Sequence, residues 1–461
     1  MKEYSSTYTA AFTQGISPSV DTLKDGDYLA TAENLRPYSG GMRLQQVPEP
    51  LINGVYETYW PFPQLYYTST GFWLCSHDQI SIFDPSFVFM GLEEFDAKGP
   101  WSVASFGKFA VAMNGAAKAY IDPDDNVLKV YTNSNVPTGG CCCEHNQGQL
   151  IIGNIPESWY DGGENVVAWS EIGAVTCVPS DKNTAGYAPM YWDGPVYAVK
   201  QLGKNIVVYG RQGISVLTPV GSPAATYGQT QLDAFGIPYA TCVAGNRSVH
   251  YFVDTAGELW QLKASGSLTP LGGQRLIQPL VMAAHTVVTY HPRRDEVYVS
   301  GEYYHYVHTR QGWGGPNYVP LSGAQYFKPA DIRSGGMAVV PVRSLAYPLD
   351  ECGFATDIIN FNQVSQKTTQ WIEVQCSRAS DNMQAAIDYR YSNSGNFLRT
   401  DFVDFNPEGA AYLPVAGTEF RIIVRMENPT MVKIDKMRVR WKPTDRRFDR
   451  GLTPGTSGNE D

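Results

Sequence analysis

A repeated pattern of short apolar strands and glycine-containing turns runs through the middle of the chain. In the clearest copy, strand-like residues 196–210 turn into residues 214–218. The layout returns about forty residues later, where residues 249–253 turn into residues 258–263. Runs of Val, Ile, Tyr and Phe joined by three or four residues ending in Gly predict β-hairpins, because Gly adopts the positive φ that such turns need.

Weaker copies of the hairpin lie on both sides of this stretch. They join residues 72–76 to 80–84, 109–113 to 118–122, 150–154 to 166–169, and 296–300 to 303–308. The copies recur at roughly 35 to 55 residues, a period typical of propellers or solenoids. They predict a β-propeller of six or seven blades. A large β-sandwich, or a pair of them, is the alternative, but sandwiches do not repeat one small meander six times.

From about residue 355 the pattern changes to alternation of apolar and polar positions. It is seen at residues 357–361, 371–376, 385–389, 420–425 and 432–441. Period two is typical of half-buried antiparallel strands, so this region predicts a compact β-sandwich. The predicted fold is therefore all-β, a six- to seven-bladed propeller followed by a C-terminal β-sandwich.

These patterns divide the chain into five segments. They are a lead-in at 1–60, the propeller at 61–314, a proline-containing crossover linker at 315–354, the sandwich at 355–445 and a flexible tail at 446–461. The lead-in contains a predicted strand at residues 42–47. We expect this strand either to close the ring by pairing with the last blade or to dock on a neighbouring subunit.

Composition agrees with a β-rich protein. Of 461 residues, 29 are Tyr, and 44 Gly and 30 Pro interrupt the chain too often for long helices. No amphipathic helix longer than two turns is predicted. No apolar run reaches the roughly 18 residues that span a bilayer, and the first residues lack an apolar signal region. The sequence thus predicts no membrane-spanning segment and folding in the cytoplasm.

Net charge limits the possible partners. The formal charge of −10 argues against tight binding of nucleic acid, because phosphate contacts need clustered Lys and Arg. An acidic protein surface can still lie next to DNA without binding it.

The cysteine-rich run Cys141, Cys142, Cys143, Glu144 and His145 is the most unusual candidate for a metal site. Adjacent cysteines point to opposite faces of a strand, and the run lacks the two-residue spacer with which Cys-x-x-Cys closes on zinc. We therefore predict a packed strand entering a blade.

Other candidate chemistry is weaker still. Residues 122–126 loosely resemble a calcium loop but lack the distal Glu, and Asp, Pro and Asn are ordinary turn residues. Carboxylate pairs for glycoside hydrolysis could be drawn from Glu93, Glu94 and Asp96, or from Asp161 and Glu164, without independent support. The histidines are dispersed, with His250, His305 and His308 in hairpin strands. We predict no catalytic, cofactor-binding or metal-binding residues, and no enzyme activity.

Clustered aromatic residues have two interpretations. Residues 303–306 with Trp313, and Trp159 with Tyr160, could stack against sugars. Cross-strand aromatic pairs also stabilise sheets, which is the interpretation we favour.

Several segments resemble one family of virion proteins. Residues 166–173, 183–187, 195–210 and 213–218 are similar to the tail nozzle proteins of tailed, podovirus-type phages, also called tail tubular or tail-stabilising proteins. Residues 33–43 resemble the family's Asn-x-Arg-Pro stretch followed by Gly-Gly-Leu-Arg. The resemblance covers about residues 30–265. One departure is Arg211-Gln-Gly-Ile, where similar chains often carry a basic or acidic residue and then Ser-Ile-Tyr.

The resemblance implies a structural protein of the virion tail, made in the host cytoplasm. Six copies would form a ring at the distal end of a short tail, between a tail adaptor or portal-side protein and tail fibre or tip proteins. The ring would line the exit channel for double-stranded DNA, without sequence-specific binding, and would contribute to genome retention and ejection. An acidic lumen would let DNA slide. The alternative is a carbohydrate-binding or glycan-cleaving propeller, such as a receptor-binding tail component.

Overall fold

The computed structural model describes most of the chain. The described residues are 5–12, 14–17, 28–44, 64–76, 78–86, 88–106, 109–121, 127–145, 148–156, 158–160, 163–221, 227–283, 286–301, 304–318, 325–327, 336–338, 351–361, 365–377, 382–392, 395–427, 429 and 432–444. The predicted tail at 446–461 lies outside them. No helix within these ranges is long and apolar enough to cross a membrane.

Four strands form in the N-terminal region. They are β1 (Ser6–Ala10), β2 (Leu29–Glu33), β3 (Leu35–Tyr38) and β4 (Gly41–Leu44). The hairpin β3–β4 turns at Ser39 and Gly40, and its register pairs Tyr38 with Gly41.

Six four-stranded antiparallel units follow, and we call them blades 1 to 6. Blade 1 contains β5 (Gln64–Thr68), β6 (Gly71–Cys75), β7 (Gln79–Phe83) and β8 (Phe89–Glu94). Blade 2 contains β9 (Ser102–Phe106), β10 (Phe109–Met113), β11 (Lys118–Ile121) and β12 (Leu128–Val130). Blade 3 contains β13 (Cys141–His145), β14 (Gln149–Gly153), β15 (Val166–Trp169) and β16 (Gly186–Pro189).

Blades 4 to 6 have the same meander order. Blade 4 contains β17 (Val196–Leu202), β18 (Asn205–Gly210), β19 (Ile214–Pro219) and β20 (Tyr227–Asp233). Blade 5 contains β21 (Val243–Gly245), β22 (Val249–Val253), β23 (Leu259–Lys263) and β24 (Leu268–Gly272), preceded by a 3-10 turn (Ala240–Cys242). Blade 6 contains β25 (Val287–His291), β26 (Glu296–Ser300), β27 (His305–Thr309) and β28 (Gly312–Asn317).

The blades form a ring. First strands of neighbouring blades contact one another, as β9 does with β13 and β13 with β17. Between blades 6 and 1 lies a two-stranded sheet, β29 (Gln325–Phe327) and β30 (Gly336–Ala338), whose β29 contacts both β25 and β5. The predicted propeller is confirmed, and all six predicted hairpins are the second and third strands of the blades.

The cores between blades explain why the strands are apolar at successive positions. In blade 3, Cys142 and Ile152 pack towards blade 2, whereas Cys141 and Ile151 pack towards blade 4. A strand buried on both faces needs apolar residues at odd and even positions alike. The ring therefore has an apolar layer between each of these pairs of blades.

One α-helix, α1 (Gln274–Met282), connects blades 5 and 6. It buries Leu276, Ile277, Leu280 and Val281, and it contains Pro279. Nine residues make two and a half turns. The prediction of no amphipathic helix longer than two turns was therefore wrong, because the frequency of Gly and Pro over the whole chain does not exclude one short helix that tolerates Pro279.

The C-terminal region is the predicted β-sandwich. Its strands are β31 (Glu351–Thr356), β32 (Lys367–Ser377), β33 (Met383–Arg390), β34 (Leu398–Arg399), β35 (Val403–Asp404), β36 (Ala410–Tyr412), β37 (Ala416–Gly417), β38 (Glu419–Glu427) and β39 (Lys433–Pro443). One sheet has the order β3-β4-β39-β32-β36, with β1 also on β39 and β37 on β32. The other has the order β2-β31-β38-β33-β34, with β35 on β33.

The N-terminal strands thus complete the sandwich. The strand expected at 42–47 is found as β4, and it pairs with β39 rather than with the last blade. The neighbouring β2 does reach blade 6, through a bridge between Ala32 and Gly315, so the second sheet continues into the propeller. Residues 45–47 lie outside the described ranges.

Candidate functional site

A central cavity of about 510 Å³ lies on the axis of the ring. Residues from the first strands of all six blades line it, including Tyr66, Ser102, Cys143, Lys200, Val243 and Thr289. Each first strand pairs with its own second strand on one edge. The other edge carries backbone donors and acceptors that face the axis, so the cavity wall is polar as well as apolar.

Lys200 is the titratable group of greatest interest in this cavity. It lies on β17 and is half-buried, and among the described residues no hydrogen bond or ion pair to its amine is found. Burial lowers the pKa of Lys200. The sequence analysis missed this residue, because nothing in the local pattern shows that its strand would face a cavity.

The cysteine-rich run is β13, the first strand of blade 3, as the packed-strand interpretation predicts. Sγ of Cys142 lies 3.4 Å from the Ser102 carbonyl oxygen of blade 2, while Cys141 packs towards Val196 of blade 4. Burial raises the pKa of Cys141 and Cys143, so both stay neutral thiols. Within the described ranges, no cluster of three or more His, Cys, Asp or Glu residues could hold a metal ion.

Two histidines connect neighbouring blades. His250 Nε2 lies 2.9 Å from the Gln201 carbonyl oxygen, and its Nδ1 lies 2.9 Å from the Tyr209 hydroxyl. The carbonyl can only accept, so Nε2 carries the proton and Nδ1 accepts from the hydroxyl. His145 Nε2 likewise donates to the Lys204 carbonyl oxygen, at 2.8 Å. His305 and His308 lie on β27 of blade 6, as expected.

Of the candidate carboxylates, Glu93 and Glu94 do not face each other. Glu93 and Glu94 are successive residues of β8, so their side chains leave opposite faces of the strand. Glu94 accepts a hydrogen bond from Gln79, and Asp96 and Glu164 are exposed. Asp161 and the calcium-like loop at 122–126 lie outside the described residues.

The aromatic clusters pack mainly on themselves. The rings of Tyr160 and Tyr187 stack with centroids 4.2 Å apart, and Trp159 meets Tyr160 edge-on. Trp313 is buried and contacts His308, and Tyr304 contacts Tyr306. Tyr303 lies outside the described ranges.

An exposed apolar surface lies on the outer edge of blades 1 and 2, which we call the outer-edge patch. It consists of residues on or beside β8 and β12, which contact each other: Val88, Phe89, Met90, Leu92, Val127 and Val130. Val88 is 61% and Phe89 57% exposed. β8 pairs with β7 alone, so its outer edge is open among the described strands. The apolar residues at 88–92 were the available sequence signal, but the sequence analysis did not single them out.

Comparisons with known proteins supply a fold neighbour. No family model matches the chain, and no curated protein matches it. Among solved structures, the WD40 domain of Neurospora crassa Pan2 is similar over 60% of this chain and 85% of that chain, with 10% identity and a TM-score of 0.39. At this level of similarity the propeller assignment depends on the chain's own sheet topology.

Proposed function

We propose that this chain is a structural virion protein that forms the nozzle of a short phage tail. Six copies assemble as a ring around the DNA exit channel, between a tail adaptor or portal-side protein and tail fibre or tip proteins. The motifs at residues 33–43 and 166–218 support the proposal by resemblance. The ring contributes to genome retention and ejection and performs no catalysis.

The outer-edge patch is the structural observation that favours self-association. An open strand edge can pair with another chain, and large exposed apolar side chains gain free energy when a partner covers them. Monomeric proteins usually protect such edges with charge, proline or a bulge. β8 has a bulge at Met90 and ends in two glutamates, but the exposed side chains of Phe89, Met90 and Leu92 still lie along its open edge. We therefore place a subunit contact of the ring on this patch.

Light scattering of the purified protein across a concentration series tests this assignment. The double variant Met90→Asp with Leu92→Asp places two charges within the outer-edge patch. We expect it to raise the concentration at which oligomers form by roughly tenfold or more, a change of about 1.4 kcal/mol.

Met282→Asp is the matched control, since Met282 is exposed at the end of α1 and away from the patch. It should associate as the unmodified protein does. The proposal would be contradicted if the protein stayed monomeric at all concentrations and also formed no oligomer when mixed with purified tails. A monomer that binds glycans would instead favour the carbohydrate-binding alternative.

A further inference from the structure

The positive charge of Lys200 in the central cavity has no neutralising partner among the described residues. The thiols of Cys141 and Cys143 are close enough to influence its ionisation, but burial keeps them protonated. Glu144 also lines the cavity and has interaction partners of its own. Arg247 adds a second positive charge to the lining. A partly desolvated ammonium without a partner is unfavourable, so a counter-charge from within the cavity would stabilise it.

We propose that the central cavity binds a small organic anion with a phosphate or carboxylate group, and that Lys200 supplies the charged donor. A volume of about 510 Å³ falls within the range of small-molecule pockets, roughly 300 to 1,000 Å³, and exceeds the needs of an inorganic ion. The rings of Tyr66, Tyr197 and Tyr290 offer apolar contacts to the rest of the ligand. The cavity lies within one chain, so this site does not depend on the assembly of six copies.

Isothermal titration calorimetry at constant ionic strength tests the proposal with three probes, inorganic phosphate, phenyl phosphate and acetate. We expect saturable binding at one site, with phenyl phosphate tighter than inorganic phosphate because of the aromatic lining. Lys200→Met should weaken binding roughly tenfold or more, since it removes the charged hydrogen-bond donor. Lys200→Arg, which keeps the charge, should retain binding.

Lys204→Met is the matched control, because Lys204 is exposed at the β17–β18 turn and does not line the cavity. Its affinity should stay within about twofold of the unmodified protein. Absence of saturable binding for all three probes, or equal affinity in Lys200→Met, would overturn the proposal.

Chemical protection in the unmodified protein gives a second readout that needs no variant. Phenyl phosphate should slow acetylation of Lys200 by acetic anhydride, as measured by mass spectrometry, without slowing acetylation of Lys204. Equal acetylation rates of Lys200 with and without phenyl phosphate would also overturn the proposal.

Discussion

At the residue scale, polar side chains are buried where parts of the chain meet. Arg36 on β3 donates to Glu296 on β26, and Tyr298 donates to the other carboxylate oxygen at 2.5 Å. The Arg36 and Glu296 side chains are 2% and 6% exposed. This pair connects the sandwich to blade 6, and each charge depends on its partner because water does not reach it.

Arg36→Met should therefore lower the free energy of unfolding by about 3–5 kcal/mol, because it leaves the Glu296 carboxylate buried without a cation. Urea denaturation followed by tryptophan fluorescence measures the change. Arg310→Met is the control, since Arg310 pairs with Asp295 but is 75% exposed. Its effect on the free energy of unfolding should be much smaller, because water screens an exposed ion pair. Equal losses of unfolding free energy in the two variants would show that burial does not strengthen the Arg36–Glu296 pair.

His250 predicts a dependence of stability on pH. Burial lowers its pKa from 6.5 to about 3, because the charged ring would lose its hydration. Between pH 6.5 and about 3 the unfolded chain binds a proton that the folded chain does not, so stability falls as the pH falls. His250 is expected to change the free energy of unfolding by up to about 1.4 kcal/mol per pH unit.

Urea denaturation at pH 7.5, 6.0 and 5.0 measures that slope. His250→Gln removes the titrating group, so its stability should change less between pH 6.0 and 5.0, by roughly 1 kcal/mol. The same pH dependence in both proteins would show that His250 does not cause it.

At the element scale, the blade hairpins could be predicted from sequence and the N-terminal strands could not be placed. Hairpins such as β18–β19 combine β-branched runs with a local turn, so neighbouring residues carry the whole signal. By contrast, β1 pairs with β39, with Ser6 opposite Trp441, and no local pattern encodes a partner more than 400 residues away. The cavity lining escaped prediction for the same reason, because Lys200 lies near Cys143 only once blades 3 and 4 pack together.

The β3–β4 turn explains one motif of the family resemblance. Gly41 has a φ of 139°, and a Cβ there would lie 2.1 Å from the Ile434 carbonyl oxygen of β39. A side chain would therefore push the hairpin away from the sandwich. At Gly40 a Cβ would meet only the Tyr38 ring, at an ordinary 3.4 Å.

Gly41→Ala should lower the free energy of unfolding by about 2 kcal/mol or more, from backbone strain and the clash with β39 together. Gly40→Ala is the matched control and should change it by less than about 1 kcal/mol. Thermal unfolding by circular dichroism compares the two. If both variants melt at the same temperature, the close approach of β4 to β39 does not require glycine at position 41.

At the scale of the whole molecule, the two ends of the chain meet in one sandwich beside blade 6. β1 and β4 pair with β39, and β2 pairs with both β28 and β31. The sandwich therefore rests on one side of the ring, while the outer-edge patch lies on blades 1 and 2. Among the described residues nothing covers the patch, as the proposed assembly requires.

Electron microscopy of the purified full-length protein tests the proposed ring most directly. The proposal predicts hollow particles with sixfold symmetry, in which each subunit shows a propeller and the outer-edge patch lies at the contact between subunits. Single propellers at every concentration, or closed particles without a central channel, would contradict it.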